Sequence, residues 1–364
     1  MKKCFYITLI LILLLFSLVG CKKQEKSQEP QKNFYTKYQN LVDPSKPIAF
    51  GDDNIIYIFA EDNNLKNVEN TLQTSLTRTI PIIIEEPYFT TEFKDGSTIN
   101  DFTNYKNLIY CGTLDGKDRV STYITSTLAP DYINLVRKNG AEMFVVNNFY
   151  VRDQLIIYLL AKDAPTLKNL TIERKEQVFN YFLERYKQRL AYQVYFNEVI
   201  ADDYFDDWPF TIKIPVLYMV FKEDKPGHFL SFIYQPAKQD SKQPDKYVSV
   251  YYESMPENQI SEDWIYRTRQ MLGKKYLDGD EIYDKKYTTE KVKIAEYDGL
   301  KMYGHWINKK LSGGVGGAFQ SFAFWDAKTK TAYLVDNIIY APNITYKLPY
   351  LLELEMVSQS ITIK

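Results

Sequence analysis

The sequence predicts an α+β protein made of two mixed α/β halves, of which the second is an antiparallel sheet packed by helices. Alternating apolar runs, which are typical of strands, come in groups that a few amphipathic helices separate. Aromatic residues favour half-buried strand positions, and the chain holds 31 Tyr and 21 Phe. Its net charge of −1 gives no reason to expect nucleic acid as a partner.

The N-terminus has the parts of a bacterial export signal. Two lysines precede an apolar run over 5–19, which is shorter than the span of about 20 residues that a membrane helix needs. The run ends in Leu18-Val19-Gly20-Cys21, which resembles the lipobox of bacterial lipoproteins. We therefore expect a signal peptide over 1–20, acyl chains such as palmitate on Cys21, and a lipid-anchored envelope protein in the outer membrane rather than the inner. The alternative is a plain anchor helix with a chance cysteine.

Composition predicts the domain boundaries. Residues 21–45 are mostly polar and rich in Lys, Gln and Glu, which predicts a disordered tether. We expect an N-terminal α/β domain over 46–200 and a C-terminal α+β domain over 210–364. Between them, the acidic boundary 201–209 is interpreted as a solvated hinge rather than a calcium loop, because the ligand spacing and distal Glu of such a loop are missing.

Apolar periodicity places the elements of the first half. Leu65, Val68 and Leu72 recur at helical spacing, which predicts an amphipathic helix that ends near Thr79. Pro130 breaks a helical stretch over 121–138, and a second apolar stripe predicts a long helix over 171–198. Strands are predicted at 54–60, 86–93, 107–111, 142–150 and 154–161.

The second half has the predicted order β-β-β-α-β-β-β-β-α. Ser261 is a good N-cap for a helix to about 275, and Pro349 suits the first turn of a last helix. We expect Trp306 beneath that last helix, with Gly304 and Gly317 allowing a close approach of backbone or ring. Strands are predicted at 210–221, 229–235, 246–253, 289–296, 300–308, 318–325 and 332–340.

Catalytic and metal motifs such as HExxH, GxSxG, CxxC and the Walker loop are missing from the sequence, so we expect no enzyme, no cofactor and no metal. Cys111 lies in an apolar run, where a buried thiol is favoured over a nucleophile. The Gly-rich stretch 312–317 favours a hairpin turn over a phosphate loop or a mobile loop, because a strand follows it. His228 and His305 are distant in sequence and form no His-rich site by themselves.

The second half carries a series of short motifs. In chain order they are 210–215, Arg267, Tyr303-Gly304-His305-Trp306, Gly316-Gly317-Ala318-Phe319, Ile339-Tyr340-Ala341-Pro342, and Lys347 with Pro349, Tyr350, Leu351, Leu354 and Glu355. In order and spacing this set resembles an uncharacterised bacterial lipoprotein family, domain of unknown function four-eight-three-seven. The first half fits through 51–54, 86–89 and 153–154, so the resemblance covers nearly the whole mature chain.

The resemblance implies no established activity. The family pattern has a basic residue where Tyr303 stands, an aliphatic one where His305 stands and often Arg where Leu348 stands. An anion site built on those basic residues is therefore in doubt here. The candidate binding or family-motif residues are Tyr303, Gly304, His305, Trp306, Gly317, Phe319, Tyr340, Pro342 and Lys347.

These observations favour a non-catalytic role in binding or envelope assembly. The expected partners are the bilayer, through the acyl chains on Cys21, and an envelope protein. One alternative is a ligand-binding lipoprotein whose cleft is lined by Trp306, Phe319, Trp325 and Tyr340, although core packing explains such aromatics equally well. A second alternative is a hydrolase of unknown type, which would need converging titratable residues in a pocket.

Replacement of the lipobox cysteine tests the anchor. Cys21→Ser should abolish lipidation, because the thioether forms on the sulfur that serine lacks. Metabolic labelling with a fatty acid measures the result, and equal label in the variant and the wild type would contradict the lipobox interpretation.

Overall fold

The structure is a computed structural model that describes residues 43–237, 243–311, 314–342 and 344–364. The predicted signal peptide, Cys21 and most of the predicted tether lie outside the described residues. Within these ranges, no helix combines the length and the apolar character that a membrane span requires. The predicted α+β class is confirmed.

In the first half, helices cover both faces of a mixed sheet. The elements are β1 (Ile55–Phe59), α1 (Asp62–Leu76), β2 (Thr79–Pro81), β3 (Glu85–Pro87), β4 (Thr90–Lys94), α2 (Ile99–Phe102), β5 (Asn107–Thr113), α3 (Arg119–Thr127), α4 (Pro130–Asn139), β6 (Ala141–Asn147), β7 (Leu155–Ala161) and α5 (Ala164–Val194). The strand order of the sheet is β4-β1-β5-β7-β6, with β6 antiparallel to β7 and the other pairs parallel. Because both faces are covered, β5 and β7 are buried along their whole length.

The second half is a seven-stranded antiparallel sheet between two helices. The elements are β8 (Phe210–Thr211), β9 (Met219–Asp224), β10 (Phe229–Tyr234), β11 (Asp245–Ser254), α6 (Glu262–Tyr276), β12 (Glu281–Ile294), β13 (Tyr297–Asn308), β14 (Val315–Asp326), β15 (Thr331–Tyr340), α7 (Leu348–Ser358) and β16 (Thr362–Ile363). The strand order of the sheet is β12-β13-β14-β15-β11-β10-β9, and a short β8–β16 pair lies outside it. The seven strands of the sheet and the two helices follow one another along the chain in the predicted order.

One apolar cluster runs from the first sheet through α5 to the second sheet. It joins Ile56 of β1 and Leu159 of β7 to Phe182 of α5, and it continues to Val335 of β15 and Leu354 of α7. Each of these five side chains is at most 1% exposed. Burial of apolar area on this scale is the main stabilising contribution, so the two halves support each other's core.

A buried ionic cluster ties the two halves together at α7. The Glu355 carboxylate accepts hydrogen bonds from the ammonium groups of Lys187 on α5 and of Lys301 on β13, the latter at 2.9 Å. Burial alone raises the pKa of Glu355, but Lys301 and Lys187 outweigh it and hold that pKa at about 2. Removal of either lysine would leave a buried carboxylate with one partner fewer.

The start of α7 is capped by a side chain of the first half. The Glu86 carboxylate of β3 accepts hydrogen bonds from the backbone N–H groups of Lys347 and Leu348, both at 2.7 Å. Unpaired N–H groups at a helix start need such acceptors, and a negative charge there also suits the helix dipole. Burial raises the pKa of Glu86, and the two backbone hydrogen bonds oppose this shift.

Two predicted strands are wrong because each contains a proline. The predicted strand 210–221 divides into β8 and β9, since Pro215 begins a turn in which the Tyr218 N–H donates to its carbonyl at 2.9 Å. The predicted strand 86–93 divides into β3 and β4 after Pro87. Proline cannot donate to a strand ladder, which explains both interruptions.

The expected position of Trp306 beneath the last helix is also wrong. Trp306 packs on the opposite face of the sheet, against Ile265 and Leu272 of α6. The alternation along β13 decides which residues share a face, but it does not decide which helix covers that face. The close approach predicted at Gly317 is confirmed, because a Cβ there would lie 2.8 Å from the Trp306 indole nitrogen.

Truncation of Trp306 should destabilise the protein strongly. The side chain is 4% exposed and its indole N–H donates to the Ile339 carbonyl at 3.2 Å. Trp306→Ala should therefore lower the free energy of unfolding by about 3–5 kcal/mol, as measured by denaturant titration. The exposed Met271 on α6 gives the control, and Met271→Ala should change stability by no more than about 0.5 kcal/mol. Wild-type stability of Trp306→Ala would contradict the core position.

Acid should weaken the ionic cluster at α7. An unfolded glutamate has a pKa of about 4.3, whereas the pKa of Glu355 is held at about 2 in the folded protein. A lowered folded pKa gives stability that is present above the unfolded value and is lost as pH falls toward the folded one. The Tm should therefore fall as the pH drops from about 4.5 to about 2.

Glu355→Gln tests this assignment. The variant should melt below the wild type at neutral pH and should show a smaller fall of Tm in acid. Glu173→Gln is the matched control, because the Glu173 side chain is 68% exposed. An unchanged acid dependence in Glu355→Gln would show that other carboxyl groups cause it.

Candidate functional site

The amino ends of three parallel strands meet the last third of α5. This helix starts just after the carboxyl end of β7 and packs back across the sheet, so its later turns reach the opposite edge. Asp53 precedes β1, Lys106 precedes β5 and Asp153 precedes β7 at this edge. Arg185 and Arg189 lie one turn apart on α5 and therefore face the same group of residues.

The two arginines are held in place by polar contacts with the strand ends. Arg189 donates from Nε to Asp153 Oδ1 at 2.8 Å, from Nη2 to the Asp153 carbonyl at 2.8 Å, and from Nη1 to Asn107 Oδ1 at 2.9 Å. Arg185 donates from Nη2 to Asn148 Oδ1 at 2.9 Å, and its Nε lies 3.4 Å from Asp153 Oδ1. The side chains of Arg185 and Arg189 are only 5% and 4% exposed.

Burial affects the pKa of Arg185, one of the two guanidinium groups. Desolvation lowers the pKa of Arg185, Asp153 opposes the shift, and the neighbouring Arg189 adds to it. Arginine nevertheless keeps its proton in proteins, so both guanidinium groups remain cationic. The two guanidinium groups and the Lys106 ammonium face two carboxylates: Asp153, and Asp53, whose Oδ1 lies 3.7 Å from Arg189 Nη1 and 2.8 Å from Lys106 Nζ. This excess of positive charge favours an additional negative charge nearby.

A pocket of about 230 Å³ opens beside the two guanidinium groups, and we call it the arginine pocket. Its lining carries four cationic side chains and one carboxylate, Asp153, while Asp53 behind it accepts a hydrogen bond from Lys106 at 2.8 Å. The pocket is therefore positive, with apolar walls. The lining residues are Ile48, Ala49, Lys106, Arg152, Asp153, Arg185, Gln188, Arg189, Tyr192 and Gln193.

The chemistry of this lining suits an oxyanion. Guanidinium groups offer N–H donors in a fork that matches a carboxylate or a phosphate. Glutamine and tyrosine side chains add neutral hydrogen-bonding groups, and Ile48 and Ala49 add apolar surface. The described residues that line the pocket include no Ser, Cys or His to serve as a nucleophile or as an imidazole base.

The opposite edge of the first sheet holds a second crevice of about 570 Å³. Open α/β sheets bind ligands at such carboxyl ends, where helices of neighbouring strands leave to opposite faces. In this crevice, the protein's own carboxylates already accept hydrogen bonds from the backbone N–H groups that a ligand would use. Glu61 accepts from the backbone N–H groups of Gly96 and Arg119, at 3.0 and 2.8 Å. Asp118 accepts from the Ser121 N–H at 2.8 Å, so an anionic ligand would meet fixed negative charge.

The structure places four predicted aromatic residues on one face of the second sheet, but in a packed core. Trp306 and Phe319 are 4% and 0% exposed beneath α6, and Tyr340 and Trp325 pack against the same cluster. Gly304 and Gly317 lie on the neighbouring backbone, where an added Cβ would meet Lys286 and Ile339 carbonyls at 2.3 and 2.0 Å. Helix α6 therefore fills the space in which an aromatic cleft was expected.

The remaining motif residues lie elsewhere. Tyr303 belongs to the cluster on the α7 face, 7% exposed, and His305 is half-buried with its ring centroid 4.9 Å from that of Tyr283. Burial, with Lys286 and Lys347, lowers the pKa of His305. The Lys347 ammonium donates to the Ile344 carbonyl at 2.6 Å, and Pro342 is exposed in the connection to α7. The motif residues therefore do not converge on one site.

The interpretations of Cys111 and of the Gly-rich stretch are confirmed. Cys111 is fully buried in β5, and burial raises the pKa of its thiol. Gly314 has a φ of +69° between the antiparallel strands β13 and β14, as a hairpin turn requires. The interpretation of 201–209 as a solvated hinge stays a prediction. Its four aspartates are exposed, and Lys213 pairs with Asp202 at 2.6 Å.

Among the described residues, no group of three or more His, Cys, Asp or Glu side chains could hold a metal ion.

Sequence reasoning missed the arginine pocket, although the long helix carried a signal. Arg185 and Arg189 lie within the apolar stripe of α5, between Phe182, Tyr186 and Leu190. A charge inside a buried stripe needs a partner, and that requirement alone would have drawn attention to this helix face.

The comparisons with known proteins identify the second half. Residues 200–360 match the family described as Domain of unknown function (DUF4837). The resemblance predicted from the sequence is confirmed over these residues, which contain the whole seven-stranded sheet and α7. No curated protein matches the chain.

Three solved structures illustrate the likenesses. A Bacteroides thetaiotaomicron protein is 14% identical, with a TM-score of 0.26, and the match covers 43% of this chain and 45% of that one, less than half of its length. The Saccharomyces cerevisiae Ran-binding protein Mog1p is 9% identical over 43% of this chain and 92% of its own, with a TM-score of 0.30. LpqN of Mycobacterium tuberculosis, described as involved in cell envelope biogenesis, is 9% identical over 43% and 83%, with a TM-score of 0.27. Scores this low carry no functional argument.

Proposed function

We propose that this protein is a lipid-anchored envelope lipoprotein that binds an anionic ligand in the arginine pocket without catalysing a reaction. The anchor is Cys21, at the end of the lipobox sequence 18–21. The observation that carries the binding role is the pair of buried guanidinium groups of Arg185 and Arg189 beside an accessible pocket. A carboxylate or phosphate group would offset their charge and accept their hydrogen bonds.

The composition of the pocket supports binding rather than turnover. Its one acidic side chain, Asp153, is engaged by both arginines, with its Oδ1 3.4 Å from Arg185 Nε and 2.8 Å from Arg189 Nε. Lys106 is paired with Asp53. General acid–base catalysis uses a group whose pKa lies near the working pH, and arginine does not meet that condition.

Removal of one pocket cation tests the proposal. We expect the mature lipoprotein in detergent micelles to bind inorganic phosphate or a short dicarboxylate, as measured by titration calorimetry. Arg152→Gln should weaken that affinity about 10- to 100-fold, since a charge-assisted hydrogen bond contributes about 1.5–3 kcal/mol. Arg152 lines the pocket, and the main contacts of Arg185 and Arg189 stay intact in this variant.

Arg137→Gln provides the matched control. Arg137 is exposed on α4 and donates to Asn134 in the same helix, so its removal should leave the affinity unchanged. Equal losses in Arg152→Gln and Arg137→Gln would indicate a general charge effect. Wild-type protein that binds neither phosphate nor a dicarboxylate would refute the anion site.

A further inference from the structure

One end of the molecule combines the arginine pocket, the start of the described chain and five exposed apolar side chains. We call these five the anchor-side face. Solvent-exposed apolar groups gathered around one site are typical of a binding surface, whereas scattered ones are ordinary. They are Ile48, Phe50, Phe149, Phe196 and Leu217, with exposed fractions of 65%, 62%, 42%, 64% and 58%.

Contacts through Gln193 connect one side of this face. Ile48 and Gln193 both line the arginine pocket. The Phe196 N–H donates to the Gln193 carbonyl at 3.4 Å, so Phe196 lies directly after the end of α5. Leu217 lines a neighbouring cavity that also contains Gln193. Phe196 and Leu217 therefore lie near Gln193, which lines the arginine pocket.

The other side of the face surrounds the first described residues. The Lys46 ammonium donates to the Phe149 carbonyl at 3.0 Å, and the Arg152 N–H donates to the Pro47 carbonyl at 2.9 Å. Ile48 and Phe50 follow at alternate positions of the same extended segment, which forms bridges at both residues. Lys46 and Arg152 thus place positive charge among the apolar groups.

We infer that the anchor-side face lies on the bilayer that holds the acyl chains, with the phosphate of a lipid headgroup in the arginine pocket. This inference rests on the proposed function, because it takes Cys21 as the anchor and the arginine pocket as the site. Aromatic and aliphatic side chains next to cations are the combination that interfacial membrane proteins use. The cations would meet phosphate at the depth where the apolar groups meet acyl chains.

The position of the anchor in the sequence favours a membrane over other occupants. Cys21 precedes Asp43 by about 22 residues, and a fully extended segment of that length spans at most roughly 75 Å. Asp43 contacts Lys46 through an ion pair, and it therefore lies at the edge of the anchor-side face. The bilayer always stays within that distance of this face, so docking costs little translational freedom.

Site-directed fluorescence on the anchored protein tests the inference. Phe196→Cys and Ile172→Cys variants of the lipidated full-length protein are labelled with an environment-sensitive dye. They are then reconstituted in vesicles of phosphatidylethanolamine and phosphatidylglycerol that carry a lipid-linked quencher. Cys111 is fully buried and Cys21 is acylated, so the dye reaches the new thiol. Ile172 is 45% exposed on α5, about 33 Å along the helix axis from Val194, the last residue of the helix, and Phe196 follows directly.

The expected result is severalfold stronger quenching at residue 196 than at residue 172. Addition of Arg152→Gln to the Phe196→Cys variant should reduce that quenching, because it removes a phosphate-binding cation. Equal quenching at both positions would overturn the inference. Weak quenching at both, together with phosphate binding in micelles, would show a pocket for a soluble anion and would leave the proposed function standing.

Two further outcomes are distinguishable. Protein that separates from the vesicles on flotation lacks the anchor, and that result would contradict the proposed function itself. Dye-labelled Phe196→Cys protein that self-quenches at high protein density, without response to the lipid quencher, would show that a second copy covers the face and would also overturn the inference.

Discussion

A single buried carboxylate fixes how the two halves of this molecule pack against each other. Glu355 of α7 lies between the ammonium groups of Lys187 and Lys301, which come from the first half and from the second sheet. An ionised group in a protein interior is costly unless its partners are positioned accurately, so α5, β13 and α7 have one relative arrangement in which all three charges are satisfied. The apolar cluster that crosses the same region supplies most of the stability, while this ionic contact selects the geometry.

The same constraint positions the arginine pocket. Helix α5 uses Lys187 to hold the second half, and it uses Arg185 and Arg189, which lie beside Lys187 in sequence, to hold the strand ends of the first sheet. A helix fixed from both sides cannot shift along its axis without breaking one set of contacts. The guanidinium groups beside the pocket are therefore preorganised, which would reduce the ordering cost of binding the proposed anion.

Local patterns predicted the element types well, because helices and strands reflect the spacing of apolar residues within a few turns. Ser261 does cap α6, with its Oγ accepting from the Trp264 N–H at 3.2 Å. The predicted strand 210–221 failed where Pro215 introduced a turn, and Trp306 was assigned to the wrong helix because alternation does not say what covers a face. The pocket was missed since Asp153, Arg185 and Arg189 meet only through tertiary packing.

The Glu86 cap has a consequence for the order of folding. Helix α7 takes the acceptor for its first N–H groups from a residue 261 and 262 positions earlier, and its central charge is satisfied across 168 positions. Contacts so distant in sequence form late, because the chain must first close very long loops. The docking of α7 thus completes the cores of both halves, and it can follow the formation of the two sheets.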